Sequence, residues 1–157
     1  MGWTRCPQPQ FQGEPQSISS LCWLACYTML FRWNDKPERE IKSFVWSTLD
    51  NAKIDMNDAK QSGLKLKDNL KAAKALGLGA RGFGQPVTEG DLRSLVALSP
   101  VWATGQWFET SNHVYIIVGV SENQVELYDP WYDTGPHEAF ASTKRTLDWV
   151  LNGDGKT

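Results

Sequence analysis

The residues of this chain whose chemistry goes beyond packing and charge are three cysteines, Cys6, Cys22 and Cys26, and two histidines, His113 and His137. Cys22 opens a run to Trp33 in which Arg32 is the first charged residue. A segment apolar on nearly all sides reads as a buried helix. A thiol attacks well only as the thiolate, and the free N–H groups and dipole of a helix start favour negative charge there. Cys22 falls in that first turn, with Ser19 and Ser20 before it as candidate caps. The position suits a nucleophile. Taken alone it suits a small buried hydrophobe better, the usual state of a free cysteine.

A thiolate needs a base and an orienter. His113 stands immediately before the β-branched stretch Val114–Val118, after a polar segment, where a strand mouth can face a helix start. Read by itself, it is an ordinary surface or core histidine. Asp129 closes the next strand, Val125 to Tyr128, with a turn at 121–124 between the two. Antiparallel pairing sets the start of one strand beside the end of the next. A midpoint at residue 121 closes the register and lets Asp129 fix the imidazole tautomer. The competing role for Asp129 is to start a turn before Pro130. His137 has only a polar, loop-like setting. An amide donor beside the nucleophile would stabilise a developing oxyanion. Gln16, in the loop before Cys22, is either that donor or one more glutamine of a lead-in that also holds Gln8, Gln10 and Gln12.

Gln16, five intervening residues, Cys22-Trp23-Leu24-Ala25 and Met29 together resemble the Gln…Cys-Trp segment of papain-like cysteine proteases. His113-Val114-Tyr115-Ile116-Ile117-Val118-Gly119 is similar to their histidine strand. Leu127-Tyr128-Asp129-Pro130-Trp131 is similar to the Asp-Pro-Trp ending of the small bacterial branch, which includes avirulence-type effector proteases and bacteriocin-processing peptidases. The resemblance covers residues 14–34 and 100–131. It implies Cys22 as nucleophile, His113 as base, Asp129 as orienter and Gln16 as oxyanion donor. Asp129 departs from the larger papains, whose third member is usually Asn.

The elements that must position these residues are legible in outline. Asp35 and Glu38 have the spacing of a capping box, with Ile41, Phe44, Val45 and Leu49 on the face of the helix that follows. Residues 50–63 read as a surface loop. A helix fits 64–76, with Leu66, Leu70, Ala73 and Leu76 inward and Gly77 as its stop. Residues 77–86 form a glycine-rich link, and Thr88 caps a short helix carrying Leu92, Leu95 and Val96. Strands follow at 101–104, 114–118 and 125–128, and a last helix is expected over 143–151. Helices first and antiparallel strands second define an α+β fold, papain-like by the resemblance, in a single domain spanning 1–157.

Composition narrows the partners. The net charge of −2 gives no basic stripe for nucleic acid. No cofactor is implied. Three cysteines and two distant histidines are poor material for a zinc site. No apolar run is long enough to span a bilayer, and the polar first twenty residues lack the apolar run of a signal peptide. The expected partner is a protein or peptide substrate. Trp107 and Trp131 are candidates to line its groove, and Trp102 is a candidate for the core. By analogy the chain is expected to be a delivered bacterial effector or toxin, acting in a target cell and open to inhibition by a cognate immunity protein. The first expectation for its reaction is peptide-bond cleavage through a thioester. A Gln/Asn deamidase or cell-wall amidase would use the same groups. A non-enzymatic binding module on this fold would leave them idle.

Overall fold

The computed structural model describes residues 2–7, 11–80, 87–108, 111–131 and 142–152, with backbone alone at 105–108, 111–112 and 152. A short strand β1 (Thr4–Arg5) is followed by five helices: α1 (Cys22–Trp33), α2 (Glu38–Asn51), α3 (Met56–Ser62), α4 (Leu66–Ala75) and α5 (Glu89–Val96). Four strands follow, β2 (Val101–Phe108), β3 (Ser111–Val120), β4 (Gln124–Tyr128) and β5 (Thr143–Thr146), and α6 (Leu147–Asn152) ends the described chain. The sheet is antiparallel throughout. One edge of β3 pairs with β2 and, further along, with β1; β4 takes the other edge and β5 pairs with β4. The fold is α+β, with helices ahead of the main sheet strands.

The alternation of β3 divides the core. Val114, Ile116 and Val118 pack with α1 to α4, around the fully buried Trp23, Met29, Ile41, Val45 and Leu49. Tyr115 and Ile117 face the other way, with Leu92 and Val96 of α5 and with Leu147, Trp149 and Val150 of α6. A strand covered on both faces must be apolar at successive positions, which explains the unbroken run Val114–Val118. Trp102 stacks on Tyr27 of α1 with ring centroids 5.1 Å apart, the core role expected of it.

Helix α1 ends in a Schellman motif. Asp35 takes a left-handed conformation at φ 58°, and the N–H groups of Asp35 and Lys36 donate to Arg32 and Phe31. Asp35 therefore closes α1 and does not cap α2, which starts after Pro37 with no side-chain cap. Lys53 (φ 66°) and Gly77 (φ 75°) end α2 and α4 in the same way. The expected loop at 50–63 contains α3, capped by Asp55, whose carboxylate accepts from the Asp58 N–H at 3.0 Å. Ile54, Met56 and Ala59 are buried there, so the segment is core as well as surface. Helix α4 is rolled relative to expectation: Asn69, Ala72 and Leu76 are buried, whereas Leu66 and Leu70 are exposed. Thr88 and Asp91 form the capping box of α5. The helix expected over 143–151 is half strand, because Thr143–Thr146 adds to the free edge of β4. Part of the expected glycine-rich link, 81–86, lies outside the described residues.

Candidate active site

Cys22 is the first residue of α1, and among the described residues no side chain caps that helix start. Ser20 does not cap it: its hydroxyl donates to the Lys60 carbonyl at the end of α3. Trp23 points inward and its Nε1–H donates to the Ala59 carbonyl at 3.1 Å. These two bonds dock α3 against the start of α1. Gly63 continues that docking, with an ideal Cβ falling 3.7 Å from the Ser20 carbonyl and a φ of +86° that favours glycine.

His113 Nε2 lies 2.6 Å from Asp129 Oδ1, and the Cys22 side chain is near enough to the same imidazole to raise it. With Nε2 given to the carboxylate, Nδ1 is the ring nitrogen left for the thiol. The imidazole is mostly buried, at 17% side-chain exposure. Burial by itself would push it down. Hydrogen bonds to Asp129 and Cys22, and the negative charge on both, outweigh burial and bring it up to about 9. Asp129 Oδ1 also accepts the Trp131 N–H at 3.0 Å. That bond is an Asx turn, so Asp129 starts a turn and holds the imidazole with one oxygen. The Trp131 ring stands edge-on to His113, with centroids 6.1 Å apart at 89°.

The register that brings His113 to Asp129 differs from the expected one. The pairs Val120↔Val125 and Gly119↔Glu126 lead from the turn, then the register shifts, and Ile117↔Leu127 and Ile116↔Tyr128 follow. Val118 is the extra residue of a β-bulge. Without it, the turn-side register would set Asp129 opposite Ile116, on the face away from His113. The bulge moves the pairing by one residue and restores Asp129 to the face of His113. Asp129 directly follows the last paired residue of β4, Tyr128, so its contact with His113 is made just beyond the ladder.

Gln16 is 3% exposed, in the loop before α1. Its backbone N–H donates to the Pro130 carbonyl at 2.9 Å, which ties it to the Asp129–Trp131 turn. Its Nε2 donates to the carbonyls of Ile18 (3.0 Å) and Ser19 (2.9 Å), and Oε1 is buried with no partner among the described residues. To serve an oxyanion, the amide must exchange one of those carbonyls for the ligand. Trp107 lies in β2, and its side chain is outside the description, as is all of His137.

The remaining thiols are unlike Cys22. Cys26, one turn further along α1, is fully buried, and burial with the nearby charges of Cys22 and Asp129 pushes it well up. Cys6 is also raised, chiefly by burial. Among the described residues no group of three or more His, Cys, Asp or Glu could hold a metal ion, and no helix is long and apolar enough to cross a membrane. The bulge and the tie from Gln16 to Pro130 were not anticipated from sequence; a turn at Asp129 was, as the alternative to its orienting role. Only Asp-Pro gave a hint of the turn.

A cysteine at the head of a buried helix, facing a histidine carried by an antiparallel sheet, is the arrangement of the papain-like cysteine hydrolases. Residues 5–147 match the model of the family described as papain-like cysteine protease AvrRpt2, and the chain belongs to that family. Comparison with curated proteins and with solved structures returns no match.

Proposed function

We propose that this protein cleaves peptide bonds in protein substrates, with Cys22, His113 and Asp129 as its catalytic triad. The observation that carries the reading is the His113 imidazole held 2.6 Å from Asp129 with Cys22, the first residue of α1, beside it. A histidine raised to about 9 is protonated at neutral pH, which favours a thiolate–imidazolium pair. The thiolate attacks the scissile carbonyl carbon. The carbonyl oxygen becomes an oxyanion, met by the uncapped N–H of Cys22 and by the Gln16 amide once it releases a loop carbonyl. As the tetrahedral species collapses, the C–N bond breaks and His113 protonates the leaving amine. Water then adds to the thioester, His113 takes its proton, and the acid leaves as the thiolate reforms. Asp129 holds the ring and stabilises its charged form.

A delivered effector acting on proteins of a target cell, restrained by a cognate inhibitor, is the biological setting proposed for this reaction, and it rests on analogy with the family. The chemical reading is tested with a peptide mixture from a denatured proteome, read by mass spectrometry. New peptide termini are expected with the parent chain and none with Cys22→Ala. A gain of one dalton at Gln or Asn without new termini would overturn peptide cleavage.

A further inference from the structure

The segment that carries Gln16 is held by Phe11, which packs against the core and on the Tyr128 ring with centroids 4.8 Å apart, and beyond Phe11 by polar contacts. Beneath residues 11–14 lies an open cleft of about 480 Å3, lined by Phe11, Gln12, Gly13, Glu14, Arg32 and Glu38. Arg32, in the last turn of α1, supplies much of what holds it. One guanidinium nitrogen reaches the carbonyls of Gln12 (3.5 Å) and Gly13 (3.4 Å), and another donates to Glu14 Oε2 at 2.7 Å. Glu38 anchors the guanidinium from behind through two bonds of 2.7 and 2.6 Å. Lys42 donates to the second Glu14 oxygen at 3.0 Å. On the sheet side, the Tyr128 hydroxyl donates to the Phe11 carbonyl at 3.3 Å, and Gln16 N–H to Pro130.

Residues 11–16 thus brace the helical layer against the end of β4. One end is clamped by Arg32 and the other runs into the turn that holds Asp129. One residue, Pro15, separates Glu14 from Gln16, two steps of chain with a reach of about 7 Å at full extension. A shift at the clamp is therefore passed to the Gln16 amide with little slack. An oxyanion donor is effective only when its place is fixed before the reaction.

We propose that Arg32 is a positioning residue of the active site, setting the Gln16 amide through its clamp on Gln12, Gly13 and Glu14. The proposal rests on the reading of Gln16 as an oxyanion donor, and the test separates the two. The best-cleaved peptide from the proteome mixture serves as substrate, and circular dichroism checks the fold of each variant. Gln16→Ala is expected to lower kcat about 100-fold, the usual scale for losing one oxyanion donor. Arg32→Met is expected to lower kcat about 10-fold with KM within about twofold. Alkylation of Cys22 by iodoacetamide, which forms no oxyanion, should keep its rate in both. In the Gln16→Ala background, Arg32→Met should cost less than about twofold more, because the group it positions is gone. Glu14→Ala leaves the Arg32–Glu38 pair in place and should cost about threefold in kcat; it serves as the probe if Arg32→Met does not fold.

A full 10-fold cost of Arg32→Met in the Gln16→Ala background, or of Glu14→Ala at its own undiminished factor, overturns the positioning role and leaves the Gln16 reading standing. No loss in either single clamp variant overturns it as well. A Gln16→Ala chain as active as the parent overturns the Gln16 reading, and the proposal with it.

Discussion

Asp129→Asn separates the charge of the orienting residue from its shape. The amide oxygen can still accept from His113 Nε2, at 2.6 Å from the carboxylate in the parent, and from the Trp131 N–H. Only the negative charge goes. The rise of His113 from 6.5 to about 9 corresponds to on the order of 3 kcal/mol in favour of the imidazolium. That balance already includes burial, which works against the charge, so the favourable contributions together exceed it. They come from Asp129 and Cys22, and Asp129 exceeds Cys22 both in hydrogen bonding and in charge. Keeping a neutral bond offsets part of the loss. The His113 midpoint should therefore fall by about one pH unit or more. The assay is an NMR titration of labelled histidine. The chain holds two histidines, and a His137→Gln variant assigns the signals. The alkaline limb of kcat/KM should move down with the resonance, because acylation needs the protonated ring to release the amine. A midpoint unmoved or raised in Asp129→Asn would refute the electrostatic role given to the carboxylate.

Iodoacetamide at mildly acidic pH should modify Cys22 ahead of Cys6 and Cys26, since burial pushes both of the latter up; peptide mapping that finds Cys26 or Cys6 labelled as fast would count against an activated Cys22. Trp23→Phe removes the donor to Ala59 and part of a fully buried ring. It should cost about 2 kcal/mol in urea unfolding, and a loss below about 0.5 kcal/mol would show that the α1–α3 dock is not held there. Gly63→Ala places a side chain at φ +86°. It should cost about 1–3 kcal/mol from backbone strain, and an unchanged denaturation midpoint would contradict that geometry.

The parts of the fold legible in sequence were those where one local signal dominates. The apolar run from Cys22 marks α1, the β-branched run Val114–Val118 marks β3, and Thr88 marks the start of α5. The misread parts share a cause: tertiary contacts decided them. Two of the three left-handed helix ends fall on Asp35 and Lys53, where no glycine announces them. Residues 143–146 form a strand because β4 offers an unpaired edge. In α4, Leu66 and Leu70 looked inward from their spacing, yet Asn69 and Ala72 take the buried face beside the expected Leu76. For the site, residue types and order pointed to Cys22, His113 and Asp129, whereas the Val118 bulge was invisible. A bulge adds one residue to one strand and leaves no mark on hydrophobic alternation in a strand buried on both faces. Arg32 gave no signal either, because its partners lie 6 to 20 residues away.

The bulge and the histidine together link catalysis to stability. Asp129 reaches the face of His113 only through the extra residue at Val118, so the sheet has given up a regular ladder to make that contact. The contact returns free energy only while the ring is charged. His113 has a folded-state value of about 9 against 6.5, so its stabilising contribution is full below pH 6.5 and is lost as pH rises through about 9. Over that window the Cys22–His113–Asp129 contact also joins the start of α1 to the ends of β3 and β4, in addition to the apolar core and the brace of residues 11–16. Removing the thiol by Cys22→Ala leaves the core intact but takes one of the two groups that raise the ring. The variant's alkaline loss of stability should therefore begin at lower pH than the parent's. An inactive Cys22→Ala chain that unfolds at neutral pH would mean that the site is needed for the fold; one that matches the parent across pH 6 to 10 would mean that the thiol and the ring do not share a charge.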